Sequence, residues 1–533
     1  MARTTGAATD LITFSRASSG TALTKVAYGP ELVTNGTFDT DTDWTKGTGW
    51  TISGGSLLCN VVSGYASAYQ SIAVTPGETY LVTFDAVYTS GLASVYMGTN
   101  GLPGSAVTLI NQTQSYSVLK TFTGGNTLIG FRSENGAVVE IDNISVKQVT
   151  YNSPTGTLKL ISHPTNKPRV EYDANGVAKG LLIEEARTNF LTYSEDFTAG
   201  VWAKFSTASL AIDATGPDGQ TSAVTFIDNA SGGTGFVFLR AVISGVSTSS
   251  SYTLSFFAKA NGLGWLNIRT NDFTTPPSST DASFDLTNGV LGTVSANYDS
   301  AEIKSYGGGW YRCSVTFTTD ASDTSGHFDI FVGDQDGVSK VDLDGTSSIL
   351  IYGAQLEQGS FPTSYIPTSG ATATRSADIA SVSLGGVGYN DAQGTVTVEF
   401  DQFGLDAIDF PSIFSLDDGT HANRVIAYTH MNGRRYLQGS TAGATVFSFD
   451  GGVMVFNQTE KWAAAFATND FAVCVNGGTV QTDTVGTMPP GISVLNIGKP
   501  YNLNTNGFLS GHIKSINYYP LRLSDAKLQE LTS

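Results

Sequence analysis

Residues capable of hydrolytic chemistry are present in the chain, but they are not grouped as that chemistry requires. Glycoside hydrolysis uses two carboxylates about 5–10 Å apart, and the strand-like stretch VEFDQF offers Glu399 and Asp401 without the further Glu that such a motif needs. No H-x-x-x-H pair and no G-x-S-x-G turn is found. The five histidines are His163, His327, His421, His430 and His512. The sequence therefore predicts no catalytic residue and a protein that is not an enzyme.

Aromatic and amide side chains are better suited to binding sugars. Rings cover the apolar faces of a sugar, while amides and carboxylates bind its hydroxyl groups. Trp50 and Tyr65 lie in Gly- and Ser-rich stretches, where we expect exposed rings, whereas Trp44 is expected in a core. The loop at 501–508 and the run at 434–436 form a second candidate platform. The predicted carbohydrate-binding residues are Trp50, Tyr65, Tyr69, Gln70 and Tyr501.

The cysteines and the acidic turns give little support for covalent or metal cross-links. Cys59, Cys313 and Cys474 are far apart in apolar, alternating contexts, so we interpret them as small buried hydrophobic residues. The run Asp334-Gln-Asp336-Gly337 resembles the start of a calcium loop, but Gly345 stands where the twelfth-position Glu should be. An acidic turn is the simpler interpretation.

Alternation of apolar and polar residues with period two predicts the elements that must position these side chains. It is found in TYLVTFDA at 79–86, SYTLSFFA at 251–258, YRCSVTF at 311–317 and GHIKSINY at 511–518, each bounded by turn residues. Helical periodicity is present only at 181–189 and at 524–531, where Ser524 is a candidate N-cap. The predicted fold class is all-β, with tandem β-sandwich or jelly-roll domains and few short helices.

Composition limits the possible partners. The chain has 533 residues, 60 of them Gly, and a formal net charge of −18, so phosphate backbones are repelled and we expect no nucleic-acid partner. With 40% hydrophobic residues, it can bury several cores. No apolar run is long enough to span a membrane, and the first residues lack the apolar run of a secretory signal. We therefore expect neither membrane insertion nor signal-dependent export.

The segments ELVTNGTFDTDTDWT at 31–45, VTPGETYLVTFDA at 74–86 and VVEIDNISVKQV at 138–149 resemble carbohydrate-binding modules of families four and nine. The resemblance implies a β-sandwich that binds glycans on a concave face or loop rim. It also implies a structural Ca²⁺ held by Asp142 together with Glu31 or Asn35. Alternatively, Asp142 only forms a hydrogen bond to a loop.

Sequences on both sides of this module resemble one motif of tailed-bacteriophage structural proteins. The motif is divided between LITFSRASS at 11–19 and the stretch 155–189, which ends in GLLIEEARTN, and YGAQLEQGSFPTSYIPTSG at 352–370 belongs to the same resemblance. The module is therefore interpreted as an insertion, which requires that its termini lie close together.

The last part of the chain, with its LSDAKLQEL ending, resembles concanavalin A-like and laminin-G sandwiches. The predicted organisation is a leader at 1–30, the inserted module at 31–149, a continuation of the leader at 150–190, a jelly roll at 191–384 and the last sandwich at 385–533.

These resemblances imply a virion structural protein, a tail or head fibre or spike, assembled in the host cytoplasm. Its expected partners are a bacterial surface glycan and other virion proteins, with a homotrimer as the expected assembly. Two alternatives stay open: a secreted glycan-active enzyme with accessory modules, and a purely architectural decoration protein. The sequence does not specify the glycan or distinguish tail from capsid.

Overall fold

The computed structural model describes residues 12–61, 63–98, 105–122, 128–134, 136–205, 209–228, 230–273, 280–406, 410–501 and 507–533. The chain divides into two compact units. One, the inserted unit, is Lys25–Leu158, and the other, the main unit, combines the described part of Met1–Thr24 with Lys159–Ser533. The two are described separately.

The first thirteen strands run through the leader and the inserted unit. They are β1 (Thr13–Ser15), β2 (Gly20–Glu31), β3 (Thr45–Lys46), β4 (Trp50–Ser53), β5 (Ser56–Val61), β6 (Ala66–Ser71), β7 (Thr79–Ser90), β8 (Ala93–Gly98), β9 (Ser105–Ile110), β10 (Gln114–Thr121), β11 (Leu128–Ser133), β12 (Ala137–Tyr151) and β13 (Thr157–His163).

The inserted unit is a sandwich of two antiparallel sheets. The first sheet has the order β10-β7-β12-β2, with β5 also paired to β12 and β4 to β5, and the second has the order β3-β6-β11-β8-β9. Strand β7 shows why the sequence folds in this way, since Tyr80, Val82, Phe84 and Ala86 occupy every second position and are all buried, while the residues between them are only half-buried. Their side chains join one apolar cluster with residues of the second sheet such as Phe131.

The main unit contains the other strands. They are β14 (Val170–Tyr172), β15 (Ala178–Ile183), β16 (Arg187–Asn189), β17 (Trp202–Phe205), β18 (Ser209–Thr215), β19 (Thr221–Ile227), β20 (Thr234–Phe236), β21 (Phe238–Ser244), β22 (Ser251–Ala260), β23 (Trp265–Asn271), β24 (Thr280–Asp285), β25 (Val290–Val294), β26 (Ser300–Gly307), β27 (Trp310–Thr318), β28 (Ser325–Gly333), β29 (Lys340–Asp342), β30 (Ser348–Gln358), β31 (Ala373–Arg375), β32 (Ile379–Ser383), β33 (Gln393–Gln402), β34 (Ser412–Asp417), β35 (Arg424–Thr429), β36 (Arg434–Thr441), β37 (Ala444–Val453), β38 (Glu460–Ala467), β39 (Asp470–Val475), β40 (Gln481–Asp483), β41 (Val494–Ile497) and β42 (Gly511–Tyr519). A 3₁₀ turn spans Leu384–Gly386, and helix α1 spans Asp525–Thr532.

Two sandwiches make up the main unit. The jelly-roll domain packs the sheet β17-β21-β28-β23-β24-β25 against the sheet β18-β19-β30-β22-β27-β26 around one apolar cluster. The C-terminal sandwich has the sheets β1-β32-β41-β34-β35-β36-β37 and β14-β15-β42-β33-β38-β39-β40 around a second cluster. The predicted fold class, all-β with sandwich domains, is confirmed.

Both parts of the divided motif supply strands to the C-terminal sandwich. Strand β1 pairs with β32 at an edge of one sheet, and β15 pairs with β42 in the other sheet. These segments were predicted to be a leader and its continuation. Instead, their strands widen the two sheets of the predicted last domain.

The helix predicted at 181–189 is wrong, because this segment forms β15 and β16. Its apolar residues pair with a neighbouring strand, Leu181 opposite Ile513, so tertiary pairing overrides the local helical spacing. Gly180 is required here because it has φ of +130°, and a Cβ at this position would lie 2.6 Å from the carbonyl oxygen of Ile513.

Three smaller predictions are confirmed. Helix α1 forms at the end of the chain with Ser524 at its N-cap, although the Ser524 side chain makes no capping hydrogen bond. All three cysteines are free and buried, and Trp44 lies in the core of the inserted unit.

Among the described residues, no helix has the length and apolarity needed to cross a membrane.

A cluster of buried charges joins three distant stretches of the main unit; we call it the buried charge cluster. Its members are Arg16, Arg169, Glu184, Arg375 and Asp378, all with side chains at most 1% exposed. Arg16 lies 3.0 Å from Asp378, Arg169 contacts both acids, and Arg375 lies 3.5 Å from Glu184. Arg16, Arg169 and Glu184 come from the divided motif, and Arg375 and Asp378 follow the segment 352–370 of the same resemblance. The cluster therefore fixes how the divided motif is assembled.

Candidate functional site

The second sheet of the inserted unit has one core face and one outer face. Residues Ala68 on β6, Val95 on β8, and Ile129 and Phe131 on β11 are fully buried on the core face. Alternation places the intervening residues of these strands on the opposite, outer face. This outer face is the candidate site, because it carries exposed and half-buried rings together with one arginine.

Two tyrosines lie on either side of a glycine on the outer face. Gly130 on β11 pairs with Tyr69 on β6 and with Tyr96 on β8, so the three residues form one row across the sheet. Strand spacing puts the two tyrosine backbones about 10 Å apart. The position between the rings has no side chain, and both rings are half-buried, with part of each accessible for stacking on a sugar.

Arg132 lies two residues further along β11 on the same face. It pairs with Ser67 on β6 and with Ser94 on β8, which adds two hydroxyl-bearing side chains to the outer face. Its guanidinium carbon lies 4.3 Å from the centroid of the Tyr65 ring, and Tyr65 is 65% exposed. Such stacking orients the planar guanidinium group.

The predicted sugar-binding residues of this unit fall into two groups. Tyr65 and Tyr69 lie on the outer face. Trp50 does not, and the expectation that it is exposed is wrong: it is only 3% exposed and packs in the core with its ring 6.2 Å from Phe131. The reason is that β4 pairs with β5, which directs Trp50 and Cys59 together into the sandwich.

Gln70 is buried as well, on the core side of β6. Its amide nitrogen donates to the backbone carbonyl of Thr34 at 2.8 Å, and its amide oxygen accepts the backbone N–H of Thr34 at 2.9 Å. Both functional groups of the amide are therefore engaged in holding the segment after β2, and the structure contradicts a direct role for Gln70 in binding sugar hydroxyls.

Sequence reasoning missed Tyr96 and Arg132. Both stand at polar-phase positions of alternating strands, ASVYMG and LIGFRS, where a large ring or a guanidinium group must face outward. Their outward-facing position in the alternating pattern was the signal by which the sequence could have identified them. The pairing that brings them beside Tyr69 depends on sheet order, which a single sequence does not reveal.

The residues predicted to hold Ca²⁺ are already engaged with hydrogen-bond donors. Glu31 accepts the backbone N–H groups of Leu32, Val33 and Val146, and its second oxygen accepts the Ser145 hydroxyl at 2.5 Å. Asp142 accepts the N–H of Asn143 at 2.7 Å.

The third predicted calcium ligand, Asn35, is similarly engaged. It donates its amide hydrogens to the carbonyls of Thr40 and Thr42 and accepts the Thr40 N–H. Oxygen atoms surrounded by N–H and O–H groups do not form the all-oxygen shell that calcium needs. Within the described ranges, no group of three His, Cys, Asp or Glu side chains is placed to hold a metal ion. The arrangement therefore does not fit the predicted calcium site.

Tyr501 belongs to a second aromatic patch, on the C-terminal sandwich. Its hydroxyl lies 2.8 Å from Nδ1 of His421, and the Arg424 guanidinium stands 5.2 Å from its ring centroid. Further along β35, which begins at Arg424, Tyr428 stacks on Tyr436 of β36 with ring centroids 5.7 Å apart. Residues 502–506 of the predicted loop lie outside the described residues.

One buried histidine, His512, has carboxylate partners like those of a catalytic histidine, but these partners occupy both of its ring nitrogens. In His512, Nδ1 lies 2.8 Å from Asp401 and Nε2 lies 2.9 Å from Glu171. Burial opposes the charge of Glu171, but the hydrogen bond from His512 and the nearby Lys304 and Lys179 hold its pKa well below the usual range. With both ring nitrogens directed at carboxylates, His512 has no free nitrogen with which to accept a proton from a substrate.

Comparison with known proteins assigns no family to this chain. No protein-family model matches the chain, and neither does any curated protein. Among solved structures, the CBM40 module of a Ruminococcus gnavus IT-sialidase, bound to α2,3-sialyllactose, is 16% identical over 27% of this chain and 84% of that one, with a TM-score of 0.24.

Two larger structures give similarly low scores. A tandem CBM22 domain of Paenibacillus barcinonensis Xyn10C is 12% identical over 62% of this chain and 98% of that one, with a TM-score of 0.22. A Trypanosoma rangeli sialidase in complex with sialic acid is 10% identical over 92% and 82%, with a TM-score of 0.23. At these scores the similarities support no inference about this chain.

Proposed function

We propose that the chain is a structural protein of a tailed-bacteriophage particle that displays sandwich modules to bind glycans on the bacterial surface. The phage part rests on the divided motif. Its resemblance includes Arg16, Arg169 and Glu184, which are three of the five residues of the buried charge cluster. Arg169 and Glu184 form a fully buried ion pair and Arg16 pairs with the buried Asp378, so these residues of the motif serve its fold, which supports a resemblance in structure.

The outer face of the second sheet supports the glycan-binding part. Tyr69 and Tyr96, on either side of Gly130, present ring surface, while Arg132, Ser67 and Ser94 present hydrogen-bond donors beside them. Rings next to donors are the combination that a pyranose requires, because its faces are apolar and its edges carry hydroxyl groups. This row of residues is the observation that carries the proposal.

The wider function follows from multivalency. A single open face of this kind binds weakly, and a homotrimer on a virion converts weak sites into useful avidity by raising the effective concentration of the second and third sites. In this proposal the protein is assembled in the host cytoplasm, acts on the particle and catalyses no reaction.

The test uses the full chain and purified surface polysaccharide of a host strain. Wild-type protein is expected to bind, and Tyr69→Ala and Tyr96→Ala are expected to weaken binding roughly 5- to 150-fold each, since stacking and burial of one ring contribute about 1–3 kcal/mol. Tyr28→Ala, on the other sheet of the same unit, is the control and should bind like wild type.

Three outcomes would contradict the proposal in different ways. Loss of binding in none of the tyrosine variants would remove this face as the site. No binding by wild-type protein would leave the architectural alternative. Release of reducing sugar from the polysaccharide would favour the glycan-active enzyme. Antibody labelling of particles tests the virion assignment and separates tail from capsid.

A further inference from the structure

The strands that form the candidate site contain no carboxylate. Strands β3, β6, β8, β9 and β11 include Lys46 and Arg132 but neither Asp nor Glu. The chain as a whole has 46 acidic residues against 28 basic ones, so this absence is not a general property of its strands. In the other sheet of the same unit, Asp85 lies on β7 and Glu140 and Asp142 lie on β12.

Arg132 is the charged residue that this register places on the outer face. Lys46 pairs with the core residue Ala68, and its amine forms an ion pair with Asp41. Arg132, in contrast, makes no ion pair within the described residues, although nine other arginines there do. The nearest acid along the chain, Glu134, follows the end of β11, and it forms no ion pair with Arg132 in the described part of the chain.

The position of Arg132 suits it to bind an anion next to a sugar ring. It lies about 7 Å along β11 from Gly130, which is the position between the two tyrosines. Stacking on Tyr65 leaves the edge of a guanidinium group free to donate two parallel hydrogen bonds, the geometry that a carboxylate accepts. The hydroxyls of Ser67 and Ser94 stand on the neighbouring strands.

We infer that the outer face selects a saccharide whose pyranose ring carries a carboxylate, with the ring on Tyr69 and Tyr96 and the carboxylate on Arg132. This inference rests on the proposed function and names the class of glycan that the same site binds. Uronic acids and sialic acids both supply this chemistry, and the test distinguishes them.

The test measures the affinity of the full chain by calorimetry for four ligands in matched pairs. The pairs are oligosaccharides of glucuronic acid against oligosaccharides of glucose with the same linkage and length, and sialyllactose against lactose. Wild-type protein is expected to bind the acidic member of one pair at least about tenfold more tightly, because hydrogen bonds to charged groups are the stronger ones. The pair that shows the preference identifies the source.

Variants separate charge from geometry. Arg132→Gln should lower the affinity for the acidic ligand roughly 10- to 100-fold and leave the affinity for the neutral ligand within about twofold. Arg132→Lys should retain part of the preference, because it keeps the charge but loses the planar fork. Lys120→Gln removes one charge from the other sheet and is the matched control for net charge. Raising the ionic strength should reduce the preference in wild-type protein.

Failure of the inference and failure of the proposed function give different results. Equal affinity for acidic and neutral ligands, with both lost in Tyr69→Ala, would overturn the inference while leaving glycan binding at this face intact. A parallel loss of both affinities in Arg132→Gln would also overturn it. No measurable binding of any of the four ligands or of host polysaccharide would overturn both.

Discussion

Replacing Glu184 with Gln should destabilise the C-terminal sandwich, because this side chain is one of two acids in the buried charge cluster. Glu184 is fully buried, and its carboxylate lies 2.8 Å from Arg169 and 3.5 Å from Arg375. Ser364 donates to it from both its backbone N–H and its hydroxyl, each at 2.6 Å. Burial alone would raise the pKa of Glu184, but Arg375, Arg169 and the Ser364 hydrogen bonds lower it from 4.5 to about 2.

The expected loss of stability follows from the difference between the ordinary and the folded-state pKa of Glu184. A pKa lowered by about 2.5 units corresponds to about 3 kcal/mol of stability at neutral pH. The range of 3–5 kcal/mol for breaking a buried ion pair is consistent with it. Because the folded-state pKa is the lower one, this contribution is complete above pH 4.5 and is lost as the pH falls towards 2. By pH 3, about 2 kcal/mol of it should be gone.

Hydrogen exchange of the full chain is the suitable assay, since a protein with several domains need not unfold in one step. Peptides covering β15 and β32 should exchange faster in Glu184→Gln, with a loss of protection of about 3 kcal/mol at pH 7. The gap between variant and wild type should shrink to about 1 kcal/mol at pH 3. Glu302→Gln, an exposed Glu of the same unit, is the control and should show neither effect.

Two results would refute this reasoning. Protection of β15 and β32 in Glu184→Gln equal to that of wild type at pH 7 would mean that the cluster contributes no stability. A gap that is equally large at pH 7 and pH 3 would mean that the loss comes from packing and not from the carboxylate charge.

Three further predictions concern the backbone, the thiols and the metal. Gly180→Ala should lower the free energy of unfolding of the C-terminal sandwich by more than about 2 kcal/mol, because the new Cβ would meet the Ile513 carbonyl. Gly54→Ala, with open space around its Cβ, should lower that of the inserted unit by only about 1 kcal/mol. Urea titrations measure both losses, and equal losses would contradict the role of the close approach at Gly180. Because all three thiols are buried, they should resist a thiol reagent in native protein and react in urea. Burial also raises the pKa of the Cys313 thiol. Rapid labelling of native protein would contradict this prediction. Chelation of calcium should leave the melting temperature unchanged, since the acids predicted to bind it already accept hydrogen bonds; a drop of several degrees that calcium reverses would restore the site.

The sequence predicts the strands well because the signal for them is local. In β7 every second residue from Tyr80 to Ala86 is apolar and buried, and the residues between them are half-buried. The same rule fails at 181–189, where apolar residues spaced as on a helix instead pair with β42. Trp50 shows a second limit of local sequence patterns. Gly and Ser around an aromatic residue indicate a turn, but they do not show whether its ring faces the core or the solvent.

The candidate site was predictable only in part, for a related reason. Tyr65 and Tyr69 are close in sequence and reach one face together. Tyr96 and Arg132 join them only through the order β6-β11-β8, which is a long-range property of the sheet. The local sequence therefore shows which face of a strand a residue occupies. It does not show which residues of neighbouring strands complete a binding site with it.

The buried charge cluster explains how a motif can be divided by another domain and still fold. Arg16 donates its backbone N–H to the Asn166 side chain at 3.1 Å and its guanidinium to the Pro164 carbonyl at 2.9 Å, so the two parts are held together directly. Arg169 then contacts the Thr21 carbonyl at 2.8 Å from the other side of the insertion point. Because these contacts lie within the main unit, they fix the two ends of the chain where an insertion leaves and returns, and they require nothing of what is inserted. Such an arrangement allows the inserted unit to change while the buried charge cluster of the main unit stays the same.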